Sequence, residues 1–140
     1  MISKGQDIYD GMCDIVGIDY ETPIKYKDDS GGSQYIFKGT DYKFWHKAET
    51  DSENLYKYFQ ASEPKRVAKD PSYYGIQQFT AGMWGMLWNC WFYDLPVKIT
   101  PRLDFCWGTD TIDRWDKCDI FHNSGVTHEV GSKHNILDRK

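Results

Sequence analysis

An apolar leader is not expected from the sequence. Residues 1–10 carry Lys4, Asp7 and Asp10 where a secretory signal would be hydrophobic, so a cytoplasmic chain is expected. Basic residues do not dominate either: 17 Lys and Arg stand against 21 Asp and Glu, for a net charge of −4. With no Lys/Arg stripe to release counterions from phosphates, a dedicated nucleic-acid binder is argued against. Cysteines are few, at positions 13, 90, 106 and 118, and without a secretory signal they are expected to be reduced thiols. No G-x-x-x-x-G-K-[ST] or G-x-G-x-x-G follows a strand pattern, so intact mononucleotide and dinucleotide loops are missing. D-x-D occurs nowhere. An uncharged stretch, 72–93, is long enough to raise a membrane question, but Gln77, Gln78, Thr80, Asn89 and three glycines interrupt it. It reads as a buried helix, and no membrane span is expected.

What the chain does hold is aromatic: 6 Trp, 10 Tyr and 7 Phe make 16% of its 140 residues. A chain of this length forms one domain as a rule and buries roughly two thirds of its unfolded surface. The pattern predicts a mixed α and β fold. Residues 13–20 (CDIVGIDY) and 33–38 (SQYIFK) have the β-branched and aromatic content of strands. Between them lies a polar loop with Pro23 and a turn cluster at 28–32. Thr40 or Asp41 is a sound N-cap for an amphipathic helix over 41–59, on which Trp45, Ala48, Ser52, Leu55, Tyr56 and Phe59 share a face. Two prolines in 60–72 predict a loop. A second helix is expected over 76–93, apolar nearly all round and hence enclosed by other layers. Short strands are expected at 97–100, 103–107 and 118–122, with a helical turn at 113–117. The single domain is placed at 1–126 and a polar, poorly ordered tail at 127–140.

Three groups of residues stand out chemically. Gly31, Gly32, Ser33 and Gln34 combine close backbone approach with neutral hydrogen bonds of the kind that hydroxyl-rich ligands need; the plain reading is a turn before a strand. Trp107, Gly108, Thr109 and Asp110 follow a strand, where α/β sites are commonly built, and Trp with Asp suits the C–H faces and hydroxyls of sugars. His122, ending an apolar strand before a Gly-containing turn, can present its imidazole to a divalent metal; the plain reading is a hydrogen-bonded structural His. Histidines 122, 128 and 134 near Cys106 and Cys118 raise structural zinc, but the close ligand pairs of such sites are missing. A Cys–His nucleophile has no local support, since Cys90, Cys106 and Cys118 sit in apolar stretches.

Three segments together resemble glycosyltransferases of the GT-A type, particularly uncharacterised viral and phage members. They are 31–38 (GGSQYIFK) with Phe44-Trp45, then 79–89 (FTAGMWGMLWN), then 103–110 (LDFCWGTD) leading to 121–126 (FHNSGV). The H-x-x-G at His122 is similar to that of glycogenin-like transferases. The resemblance implies the C-terminal half of a GT-A-like domain, a short mixed sheet flanked by two main helices. It implies transfer of a sugar from a nucleotide-sugar donor to a hydroxyl on a glycan acceptor, aided by a divalent cation (Mn or Mg) with His122 as one ligand. Gly31, Gly32, Gln34, Trp84, Trp107 and Asp110 would then line the substrate site.

Three departures qualify these implications: the missing D-x-D, Gly82 where related sequences tend to be acidic, and no Lys-Pro-Trp after the H-x-x-G. No catalytic base is named, and the departures point to a transferase that is truncated, split or inactive alone. A homodimer or a companion chain carrying the D-x-D half would complete it, and a viral member would work in the host cytoplasm. The alternatives are a non-catalytic carbohydrate-binding or assembly module and, behind it, a small zinc-structured interaction domain.

Overall fold

The computed structural model describes residues 5–73 and 75–122. They fall in two compact units, Met1–Lys98 and Ile99–Lys140. The expected tail at 127–140 and the glycine of H-x-x-G lie outside the described residues. The described residues are helix-rich with one small parallel sheet, a mixed α and β class.

The first unit is helical. Helix α1 (Gln6–Val16) buries Ile8, Tyr9, Met12, Cys13 and Val16, a spacing that places them on one face. It overturns the strand expected over 13–20. Ile15, Val16 and Ile18 favour a strand locally, but the helical period begins upstream at Ile8, and Gly17 ends the helix in the left-handed region at φ 77°. A short helix, α2 (Thr22–Lys25), follows. Residues 33–38 form no strand, because among the described residues no partner strand lies beside them. Instead Phe37 packs on Phe44 and Trp45, with ring centroids 5.2 and 5.1 Å away.

Helix α3 (Tyr42–Lys69) starts where expected: the Asp41 carboxylate accepts from the Lys43 and Phe44 amides. It runs ten residues beyond the expected end at 59, through Pro64, so the loop expected over 60–72 is mostly helix. Pro64 is exposed, its missing hydrogen bond falls on the solvent side near exposed Gln60, and Arg66 in the next turn pairs with Asp7 of α1.

Helix α4 (Ala81–Phe92) begins five residues later than expected, after a 3₁₀ turn at Gln78–Thr80. Its apolar surface is enclosed only in part: Leu87, Trp88 and Trp91 join α1 and the Leu55 and Phe59 side chains in one core and Cys90 meets Phe44 and Ala48 in another, while Gly82 and Phe92 remain exposed. Helix α4 lies tight against α3 at Gly85, where an added Cβ would stand 2.2 Å from Ser52 Oγ and 3.2 Å from its Cα. Between them lies a polar network. Lys47 Nζ donates to Asp51 Oδ2 (2.8 Å) and to the Val16 carbonyl (2.9 Å), and Asn89 Nδ2 donates to Asp51 Oδ2 (2.8 Å) and the Gly85 carbonyl (2.9 Å). Asp51 and Asn89 are both buried. No helix among the described residues is long and apolar enough to cross a membrane.

The second unit holds β1 (Phe105–Trp107), α5 (Ile112–Trp115) and β2 (Ile120–His122). The strands pair in parallel, with Phe105 opposite Ile120, Cys106 opposite Phe121 and Trp107 opposite His122. Parallel pairing needs a crossover of about a dozen residues, which the α5 segment supplies. Both strands and the helical turn agree with the expected positions to within two residues. Residues 97–100 form no strand: Val97 packs into the core of the first unit, and Pro101 opens a 3₁₀ turn. The sheet is therefore not the mixed sheet expected; among the described residues it is two parallel strands.

Candidate functional site

The residues singled out in the sequence fall into two groups, one in each unit. In the second unit, side chains alternate across β1, so Phe105 and Trp107 share one face of the strand pair and Cys106 takes the other. Register places His122 beside Trp107 at the carboxyl ends of the strands, the end at which parallel sheets commonly carry their sites. The Trp107 and His122 rings meet edge to face, centroids 4.8 Å apart at 84°. Phe105 completes the group, 5.1 Å from Trp107 and 5.3 Å from His122.

Trp107 is braced by its backbone. Its amide donates to Asp110 Oδ2 at 2.8 Å, and its carbonyl accepts from the Asp110 amide and from Trp115 Nε1 at 3.1 and 3.0 Å. The indole itself stays 44% exposed. An open aromatic ring beside an imidazole, with a carboxylate on its backbone amide, can stack on a planar or C–H-rich face and bond to hydroxyls nearby. At the other end of β1, Arg114 donates to Asp104 Oδ2 (2.7 Å) and to the Phe105 carbonyl. The guanidinium holds the Asp104 carboxyl below the usual carboxylate range.

These contacts also bear on a metal. Asp104 is engaged with Arg114 and the Phe105 amide, Asp110 with the Trp107 amide, and His122 stands against two rings. Among the described residues no three His, Cys, Asp or Glu side chains converge, so they do not make up a divalent-cation site around His122. Cys106 and His122 lie on opposite faces of the strand pair, which separates them as a nucleophile and base. Histidines 128 and 134 lie outside the described residues.

In the first unit, Gly31 approaches α4, whereas a Cβ on Gly32 would meet only Gln34. A Cβ on Gly31 would stand 3.0 Å from the Tyr35 hydroxyl, 3.1 Å from Leu87 Cβ and 3.2 Å from the Met83 carbonyl. The Tyr35 hydroxyl accepts from the Gly32 amide and donates to the Met83 carbonyl, both at 3.2 Å, which seats the loop on the helix. Burial pushes the Tyr35 hydroxyl up to about 12. Gln34 is half-buried in the same loop. Trp84, next along α4, donates from its indole to Thr80 Oγ1 at 3.2 Å and packs on the core. Beyond it, Gly82 borders an open groove of about 290 Å³ between α3 and the start of α4, with Tyr56 and Phe79 among its walls. A side chain at Gly82 would meet no atom within 4 Å.

Sequence reading located Trp107, Asp110 and His122 but passed over Phe105 as a site residue. The signal was its two-residue spacing from Trp107 on a strand. No family model, curated protein or solved structure matches the chain.

Proposed function

We propose that this chain is a carbohydrate-binding protein on a glycosyltransferase-like scaffold, with the Trp107 face of the β1–β2 pair as its sugar platform. The observation that carries this reading is the exposed Trp107 indole, held by hydrogen bonds on both its amide and its carbonyl and flanked by His122 and Phe105. A pyranose would lay its C–H face on the indole while Asp110 and His122 take hydroxyls at the rim. Binding of a neutral glycan needs no converging metal ligands, which agrees with the engaged states of Asp104 and Asp110. Transfer from a nucleotide-sugar, the activity that the sequence resemblance implies, would need the diphosphate-holding D-x-D and a base from another chain.

Titration calorimetry separates the two. A panel of neutral oligosaccharides is expected to give heat with the intact protein and about fivefold weaker binding in Trp107→Ala, since an aromatic contact of this kind contributes about 1 kcal/mol. UDP with Mn²⁺ is expected to give none. Heat from UDP and Mn²⁺ that disappears in His122→Ala, with no response to oligosaccharides, would overturn the binding reading in favour of the transferase.

A further inference from the structure

The face of the β1–β2 pair opposite Trp107 carries a second feature, unrelated to sugar binding. Cys106, at the centre of β1, shares a small buried cluster with Trp115 and Cys118, although eleven residues separate the two cysteines in sequence. Cys106 is fully buried and its thiol donates to the Ile120 carbonyl at 3.8 Å, which ties it to β2; Cys118 is 9% exposed at the start of the approach to β2. Both are free thiols. We propose that Cys106 and Cys118 form a redox-responsive dithiol that closes to a disulfide on exchange with a small oxidised disulfide, stapling β1 to the segment after α5.

The exchange runs in two steps. The Cys118 thiolate, the more accessible of the two, attacks one sulfur of the oxidant; a protein–oxidant mixed disulfide forms and one small thiolate leaves. The Cys106 thiolate then attacks the Cys118 sulfur and expels the second small thiol. Two protein thiols are oxidised by two electrons, the oxidant is reduced to two thiols, and the two protein protons pass to them. Desolvation, together with the neighbouring Cys118 thiol, raises the Cys106 pKa, so its attack quickens as pH rises. The other cysteines serve as internal controls. Cys13 and Cys90 belong to separate cores of the first unit, and burial pushes each thiol up to about 11.

The test uses the whole native chain and oxidised glutathione. Non-reducing peptide mapping is expected to recover a 106–118 crosslink, with loss of two hydrogen atoms and no crosslink at Cys13 or Cys90. Proteolytic cleavage within 107–117 is expected to slow by about tenfold or more, as closing a loop of this length restrains the opened state. Dithiothreitol should restore the original rate, and Cys118→Ser should show neither effect. A glutathione adduct that persists on Cys118 without crosslinking, a crosslink that forms only in denaturant, one that involves Cys13 or Cys90 equally, or unchanged cleavage after closure would each overturn the proposal. The wild-type measurements decide it even where the serine variant fails to fold.

Discussion

Single atoms decide several of the contacts that shape this protein. The Tyr35 hydroxyl joins the Gly32 amide to the Met83 carbonyl, so Tyr35→Phe removes one hydrogen bond from each of these partly buried groups. Chemical denaturation should register a loss of about 1 kcal/mol at neutral pH. The same residue sets a pH dependence. Its ordinary pKa is 10.0 and the folded value is about 12, so the folded protein retains a proton that the unfolded chain releases between them. The contribution is therefore whole below pH 10 and fades as pH climbs to about 12. Stability should fall over that interval, and less steeply in Tyr35→Phe than in the wild type. Equal slopes would mean that the hydroxyl is not buried in the fold. Glycine 31 was legible in the sequence as a point of close backbone approach. What approaches it is α4, a fact of packing that local sequence does not carry.

At the scale of elements, α3 offers the sharpest test, because Pro64 inside it separates two readings of the same residues. In a loop, Pro64→Ala would leave stability unchanged or lower it slightly by loosening the unfolded chain. In a helix interior it removes a clash and restores a hydrogen bond. The variant is thus expected to be more stable by about 1–3 kcal/mol, read as a higher melting temperature and stronger helical circular dichroism. Gly85→Leu should do the opposite. The added side chain would enter the α3–α4 crossing at Ser52 and cost about 1–3 kcal/mol or more by overpacking.

The elements legible in sequence were those whose signal is local. Asp41 as a cap, the three- and four-residue spacing after it, the apolar run of α4, and the short apolar strands around α5 all fall within a few residues of where they were expected. The misses had non-local causes. Residues 33–38 have strand-like composition with no partner strand among the described residues; Ile15 and Val16 are β-branched but continue a helix begun at Gln6; and Pro64 is carried through because α3 is held on both sides of it. For the site, residue types pointed to Trp107, Asp110 and His122. Only the parallel register, a tertiary fact, places His122 against Trp107 and Phe105 beside both.

On the scale of the whole molecule, the two units differ in the size of their cores. The first unites α1, α3 and α4 around a dozen buried side chains, whereas the second gathers Cys106, Trp115 and Cys118. Amide hydrogen exchange should therefore be slowest in α3 and α4 and much faster throughout 99–122. Comparable protection in both would contradict this division. Within the larger unit, Asp51 couples the helices to one another. Asp51→Ala would take one acceptor from the Lys47 ammonium and one from the Asn89 amide, leaving them the Val16 and Gly85 carbonyls, and is expected to cost about 1–3 kcal/mol in chemical denaturation. A second consequence concerns alignment. Were α4 to slide by one turn along α3, the apolar rings around it would find other apolar neighbours at small cost, but Asn89 would lose the carboxylate and an ion would face hydrocarbon. Three polar side chains thus act as a key that admits one docking of two greasy helices, and a chain with all three replaced by leucine would stay helical while its helices sampled several alignments.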